Sequence, residues 1–167
     1  MDGGLLILGA GQFGMMVKEI ADSLDMVSKI DFLDDNNPIA IGRLCDFPRF
    51  VDSYPLAIVA IGNSMTRIDY AKLLEKAGYT VPALISPRAF VSDSAVVSSG
   101  CIIEPMAVVQ TGAYIGKGCI ISSGAVIRHN ATVEDGCHCD CNSVVKSNTI
   151  LPRGSKLDCG KIYVEKI

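Results

Sequence analysis

The stretch AVVQTGAYIGKGCIISSGAVIRHN, residues 107–130, consists of four units of six residues. Each unit begins with a small residue and has an aliphatic residue in its third place. The same pattern runs from Ala89 to Gly160, and Cys139 is its one exception in the third place. A hexapeptide period is typical of a parallel β-helix, in which each unit forms one flat side and three sides form a coil. Residues 89–160 therefore predict four coils of 18 residues.

The period accounts for four of the seven cysteines. Three of them recur every 18 residues in the small first place, namely Cys101, Cys119 and Cys137. Cys139 occupies a core third place. Because a free cysteine behaves as a small hydrophobic residue, we interpret these four as parts of the interior.

Two further cysteines, Cys141 and Cys159, are also 18 residues apart. Neighbouring coils bring their Cα atoms within disulfide range, but a reducing compartment disfavours a bridge. A Cys/His metal site within CHCDC (residues 137–141) is disfavoured too. Strand alternation turns His138 away from its neighbouring cysteines, so one ion cannot easily collect them. We predict no metal.

Composition restricts the class of protein. Hydrophobic residues make up 49% and charged residues 20% of the chain, which favours a folded core. The net charge is −3 and no basic run is present, so nucleic acid is not an expected partner. The apolar runs are too short to span a membrane. With no signal peptide visible at the start and an odd number of cysteines, the expected location is the cytoplasm.

The first half of the sequence has a different organisation, in which strands alternate with helices. This order predicts a small parallel sheet with helices packed on it. The predicted strands are 5–9, 29–35, 56–62 and 81–85, and the predicted helices are 12–24 and 66–79. We place the domain boundary after residue 85, with a Rossmann-like domain at 1–85 and the β-helix at 86–167.

A glycine motif, GAGQFG at residues 9–14, follows the first predicted strand and opens the first helix. Asp34 lies 20 residues beyond Gly14. This pattern fits a dinucleotide site with phosphates at the helix N-terminus and the acidic residue on a ribose. A domain of about 85 residues provides one mononucleotide half at most, so a single nucleotide or a nucleotide sugar fits better than NAD. The alternative is that the glycines serve only a tight turn.

Five motifs in this order resemble one family: GAGQFG (9–14), FLDD (32–35), AIGNSMTR (60–67), LISPRAFVSDSAVV (84–97) and GAVIRHNATVEDGCH (124–138). The sequence is similar to the bacterial sialic acid O-acetyltransferases and UDP-amino-sugar N-acetyltransferases. The resemblance implies a Rossmann-like domain that binds the acceptor, followed by a left-handed β-helix. It further implies a homotrimer that binds acetyl-CoA in grooves between subunits, and a role in polysaccharide biosynthesis.

The resemblance also implies the catalytic residues. His129, followed by Asn130, matches the family's general base and the residue that orients it. An imidazole suits the removal of a proton from an amine or hydroxyl acceptor near neutral pH. His138 matches a histidine that contacts the acetyl carbonyl. Ser147 stands where relatives usually have a glycine whose backbone N–H holds the thioester oxygen. The simplest alternative for His129 is a solvent-exposed turn residue.

The N-terminal motifs predict the residues that bind the acceptor. These are Gly9, Gly11, Gln12, Phe13, Asp34, Asp35, Asn63 and Arg67.

The leading hypothesis is an enzyme that moves acetyl from acetyl-CoA to an amino or hydroxyl group of a sugar, linked to a nucleotide. The first alternative is a catalytically silent trimeric protein that binds nucleotide sugars, because the β-helix ends about two coils earlier than in most of the resembled family. The second alternative is an NAD(P)-binding oxidoreductase, which rests on the glycine motif alone.

Overall fold

The structure, a computed structural model, describes residues 3–165 and divides into two compact units between Pro82 and Ala83. The boundary predicted from the sequence, after residue 85, lies three residues later. The difference arises because Leu84–Ile85 pairs with Ile102–Ile103 and so belongs to the β-helix. Ala83 and Ile85 already carry the small and aliphatic residues of the hexapeptide pattern.

The N-terminal unit has a three-stranded parallel sheet in the order β2-β1-β3. Its strands are β1 (Gly4–Leu8), β2 (Lys29–Leu33) and β3 (Leu56–Val59). Helix α1 (Gln12–Asp22) follows β1, a 3-10 helix (Leu44–Arg49) lies between β2 and β3, and helix α2 (Ser64–Lys76) follows β3. Every residue of β1 is buried, as expected for the central strand of a parallel sheet covered on both faces.

The prediction of a fourth strand at 81–85 in this sheet is wrong. Thr80 forms only an isolated bridge to Leu56. Pro82 has no N–H to donate to a ladder, and the chain then enters the β-helix at Leu84.

As far as residue 165, the C-terminal unit is a three-sided parallel β-helix of fourteen two-residue strands. The first face contains β4 (Leu84–Ile85), β7 (Ile102–Ile103), β10 (Ile120–Ile121), β13 (His138–Cys139) and β16 (Lys156–Leu157). The second face contains β5 (Phe90–Val91), β8 (Val108–Val109), β11 (Val126–Ile127), β14 (Val144–Val145) and β17 (Ile162–Tyr163). The third face contains β6 (Val96–Val97), β9 (Tyr114–Ile115), β12 (Thr132–Val133) and β15 (Ile150–Leu151). The prediction of a β-helix with hexapeptide repeats is confirmed.

The interior of the β-helix consists of the small and aliphatic places of the repeat. Cys101, Cys119 and Cys137 are fully buried, and so is Cys139. Hydrogen bonding between neighbouring thiols, together with burial, raises the pKa of Cys119 and Cys137 far above that of a free thiol. Burial raises the pKa of Cys139 to about 12. These thiols stay protonated near neutral pH and are not nucleophiles.

Within residues 3–165, no helix has both the length and the apolar character that crossing a membrane requires.

Candidate functional site

His129 lies at the corner where the second face turns into the third, between β11 and β12. We call this the His129 corner. Its backbone is held on both sides, because its N–H donates to Gln110 Oε1 at 3.1 Å and its carbonyl accepts from Asn148 N–H at 3.3 Å. The residue is only partly buried, so the imidazole can reach an incoming ligand. A fixed backbone with an accessible ring suits a general base.

Asn130 has a structural reason to be asparagine. Its φ is +57°, and every sixth residue from Gly100 to Gly160 also has a positive φ. Asparagine tolerates this left-handed conformation better than most residues with a side chain, which explains its use where other hexapeptides have glycine.

The amide of Asn130 is also close to the base. Its Nδ2 lies 3.5 Å from His129 Nδ1. Rotating the amide by 180° puts Oδ1 beside Nδ1, where it accepts the Nδ1 proton and leaves the Nε2 lone pair free to act as a base. Asn130 can therefore select the tautomer that the chemistry requires.

Ser147 lies at the His129 corner, one coil further along. The pairings of Val126 with Val144 and of Thr132 with Ile150 fix this offset of 18 residues. Within residues 3–165, the Ser147 backbone N–H has no hydrogen-bond acceptor. An N–H without a partner, one coil from the candidate base, can stabilise negative charge that develops on an acyl oxygen.

His138 lies on another side of the coil. It belongs to β13 on the first face, and its Nε2 is 3.2 Å from Ser122 Oγ. In a three-sided coil the first face is opposite the His129 corner. The structure therefore brings His129 and Ser147 together, but it does not bring His138 to them within one chain.

The glycines of the GAGQFG motif have different roles. Gly9 has a φ of +109°, and a Cβ there would lie 2.6 Å from the Ala60 carbonyl oxygen. A Cβ on Gly14 would lie 2.0 Å from the Gly9 carbonyl oxygen. Both glycines are therefore required by packing. Gly11, at the N-terminal end of α1, has no atom within 4 Å of its Cβ position and leaves that end open.

Asp34 links the GAGQFG loop to the segment after β2 through hydrogen bonds. Its Oδ2 accepts from Ala10 N–H at 2.8 Å, and its Oδ1 accepts from Asn36 and Asn37 N–H at 2.9 and 3.0 Å. The bond from Ala10, followed by those from the two asparagines, holds the pKa of Asp34 below its usual value. The carboxylate is thus occupied by backbone groups, and its role on a ribose stays a prediction.

A shallow cleft of about 400 Å³ lies beside this loop, lined by Gly11, Asp34, Asn36, Asn37 and Pro38. The two asparagines and the proline are not among the residues predicted from the sequence. Their signal was the polar run DDNNP directly after β2, at the carboxyl end of a parallel strand, where ligands of α/β sheets bind.

Arg67 does not offer its guanidinium to a ligand. Its side chain is fully buried, and Nη1 donates to the carbonyls of Ile61 and Gly62 at 2.8 and 3.0 Å. The prediction of direct contact is therefore corrected, since Arg67 positions the loop after β3. Asn63 in that loop caps α2 by accepting from the Thr66 N–H.

The other predicted acceptor residues lie at the edges of these loops. Asp35 Oδ1 accepts from Leu44 N–H at 3.1 Å. Gln12 and Phe13 begin α1, and Gln12 is exposed whereas Phe13 is half-buried. Their contacts with an acceptor stay predictions.

Two family models match the sequence. Residues 4–74 match the PglD N-terminal domain, and residues 94–129 match the bacterial transferase hexapeptide of six repeats. A search of curated proteins finds no significant match.

Solved structures match almost the whole chain. The acetyltransferase domain of PglB from Neisseria gonorrhoeae FA1090, in complex with acetyl coenzyme A, is 28% identical, with a TM-score of 0.89 over 97% of this chain and 82% of that chain. The two model matches and this structural likeness make the chain similar to hexapeptide-repeat acetyltransferases.

Two other solved structures show the same fold at lower identity. Perosamine N-acetyltransferase from Caulobacter crescentus, a histidine-to-asparagine mutant in complex with CoA and GDP-perosamine, is 19% identical with a TM-score of 0.87, covering 100% of this chain and 91% of that one. WeeI from Acinetobacter baumannii AYE is 20% identical with a TM-score of 0.67, covering 98% and 92%.

These matches confirm three predictions. The fold is an α/β domain followed by a left-handed β-helix, the resemblance is correct, and the chain is an acetyltransferase. The roles of individual residues, the sugar and its reacting group belong to the proposal below.

Proposed function

We propose that this chain transfers the acetyl group of acetyl-CoA to the amino group of a nucleotide-linked sugar. The observation that carries the proposal is the His129 corner, where an accessible imidazole on a fixed backbone lies one coil from the Ser147 N–H, which has no acceptor among residues 3–165. The CoA and GDP-perosamine bound to a neighbour of the same fold support this class of acceptor.

The proposed reaction is a direct transfer. His129 Nε2 removes a proton from the sugar amine as the amine attacks the thioester carbonyl. The Ser147 N–H stabilises the oxygen of the tetrahedral intermediate. The C–S bond then breaks, and the proton passes from the imidazolium to the leaving thiolate, which yields the acetamido sugar and free CoA. No cysteine is needed as a nucleophile, because the interior thiols stay protonated.

The N-terminal unit is the proposed site for the nucleotide part of the acceptor. The cleft beside Gly11 borders the uncapped N-terminus of α1, where backbone N–H groups and the helix dipole favour phosphate. The three-stranded sheet provides one mononucleotide half, which supports a nucleotide sugar over NAD. We assign the acceptor domain to 1–82 and the acyltransferase domain to 83–167.

We assign the reaction to polysaccharide biosynthesis in the cytoplasm, where seven free thiols remain reduced.

A ligand panel tests the function directly. Acetyl-CoA and a GDP- or UDP-linked amino sugar should each raise the melting temperature, by roughly 5–10 °C at 100 times the dissociation constant. NAD is expected to have no effect, since the described part of the chain contains a single nucleotide half. Stabilisation by the nucleotide sugar without acetyl-CoA binding or turnover would contradict the proposal and favour a silent binding protein.

We further propose a homotrimer. His129 and His138 lie on opposite sides of one coil, so a groove that uses both must take them from two copies. The outward residues of the second face form an uncharged ladder that suits packing between copies: Phe90, Val108, Val126, Val144 and Ile162. Phe90 and Ile162, at the two ends of the ladder, are 60% and 59% exposed in one chain.

The ladder gives a prediction about assembly. Val108→Glu should convert a trimer to monomers in light scattering, because it introduces a charge in the middle of the apolar ladder. Lys117→Glu is the matched control, since Lys117 is exposed at the corner opposite the second face. A wild-type protein that is monomeric at micromolar concentration would contradict the shared groove.

A further inference from the structure

Two thiols and a carboxylate meet at the corner where the first face turns into the second. We call it the thiol corner; it contains Asp140, Cys141 and Cys159. The pairings of His138 with Lys156 and of Val144 with Ile162 bracket this corner and stack its two coils in register. Cys141 and Cys159 therefore occupy the same place on successive coils. One oxygen of Asp140 and the two Sγ atoms all lie within 4.8 Å of one another.

The thiol corner differs from the interior cysteine column in access. Cys101, Cys119 and Cys137 are fully buried, which leaves no route for an ion. At the thiol corner Cys141 is half-buried and Cys159 is exposed. An ion in solution can therefore reach both thiols.

The carboxylate of Asp140 is already oriented. Its Oδ1 accepts from the Cys141 backbone N–H at 2.8 Å. Its other oxygen lies 3.6 Å from Lys156 Nζ, and the same ammonium is 3.8 Å from Asp158 Oδ1. The Lys156 side chain is 56% exposed, so it can move away when a stronger cation arrives.

The donor set favours a divalent cation. One carboxylate oxygen of Asp140 lies beside both thiols, and its negative charge attracts a cation that two thiolates can then bind. Two thiolates, a carboxylate and one open position are a ligand set that zinc accepts.

We propose that Asp140, Cys141 and Cys159 bind a divalent cation of the zinc class. Binding releases two thiol protons, forms two metal–sulfur bonds and one metal–oxygen bond, and leaves a fourth position for water. Tetrahedral geometry requires the two Sγ atoms to approach to about 3.8 Å, which side-chain rotation allows. Each coil of a solenoid contacts only its neighbours. An ion bound by residues 140–141 and by residue 159 therefore cross-links two successive coils. This role is structural and separate from the proposed transfer chemistry.

Cobalt(II) is the probe for the site, used on the reduced full-length protein. We expect one Co²⁺ per chain with thiolate-to-cobalt charge-transfer absorption in the near ultraviolet. Cys141→Ser and Cys159→Ser should each abolish this absorption, and Asp140→Asn should weaken Co²⁺ binding. Cys45→Ser is the matched control, because Cys45 is an exposed thiol in the N-terminal unit. Zinc should displace the cobalt, as it binds such sites more tightly.

A stability measurement supplies an independent readout. Saturating Zn²⁺ should raise the melting temperature of the wild-type protein by roughly 5–10 °C, and that of Cys159→Ser by much less. Cys159 is exposed, so the serine variant keeps its fold. Co²⁺ absorption that persists in both serine variants would overturn the proposal. So would a wild-type protein that binds no Co²⁺, or one isolated with two fewer free thiols, which would indicate a disulfide instead.

Discussion

His129→Ala is expected to lower kcat for acetyl transfer by roughly 10²–10⁴-fold, with little change in the affinity for either substrate. The proton moves only during the reaction, so the loss falls on the chemical step and not on binding. The side chain is partly exposed at a corner, and its backbone is held by Gln110 and Asn148, so the substitution leaves the β-helix intact. Steady-state kinetics with both substrates, and an unchanged melting temperature, check the prediction.

Lys117→Ala is the control for this variant. Lys117 occupies the same fifth place of the hexapeptide, at an exposed position on a different corner. It should keep wild-type kcat. If His129→Ala keeps its turnover, or if both variants lose it equally, the imidazole is not the base and the His129 corner is not the site of transfer.

The β-helix could be predicted from the sequence because each hexapeptide is a complete structural unit. A small residue, an aliphatic residue and a positive-φ residue recur at fixed places, and the backbone pairing that results is local to adjacent coils. The start of the helix was placed one hexapeptide too late. Ala83 and Ile85 fit the pattern, but Pro82 and Pro87 are typical of a linker between two domains.

The hexapeptide period predicts only part of the site. A spacing of 18 residues places His129 and Ser147 at one corner without further information. His138 follows His129 by nine residues, half of an 18-residue coil, so the same period puts it on the opposite side of the coil. The relation between His129 and His138 is a property of an assembly, and a single sequence carries only indirect signs of it.

The N-terminal motifs predict a loop, but they do not show which of its residues are required for packing and which are free to contact a ligand. The pattern treats the glycines of GAGQFG alike, whereas Gly9 and Gly14 are required by close packing and Gly11 is not. Similarly, Arg67 follows a loop, and its sequence position suggests a contact with phosphate. Its guanidinium is instead buried and donates hydrogen bonds to backbone carbonyls. Packing between elements decides these roles, and short motifs do not encode it.

Gly11→Leu is expected to weaken binding of the nucleotide sugar without unfolding the chain. Gly11 has a φ of −73°, which a leucine adopts, and its Cβ position has nothing within 4 Å. A leucine side chain would stand over the open N-terminus of α1 and keep a phosphate from the backbone N–H groups there. Loss of one hydrogen bond to a charged group costs about 1.5–3 kcal/mol, which corresponds to a roughly 10- to 150-fold rise in the dissociation constant.

Calorimetry with the nucleotide sugar and with acetyl-CoA separates this effect from damage to the fold. The Gly11→Leu variant should lose affinity for the first ligand and keep it for the second, which is assigned to the β-helix. Gly14→Ala is the contrasting variant, because its Cβ would lie 2.0 Å from the Gly9 carbonyl oxygen and must distort the loop or unfold it. It should lower the melting temperature, whereas Gly11→Leu should not. Unchanged affinity of Gly11→Leu for the nucleotide sugar would mean that the glycine loop serves only the turn from β1 to α1, and that the acceptor binds elsewhere.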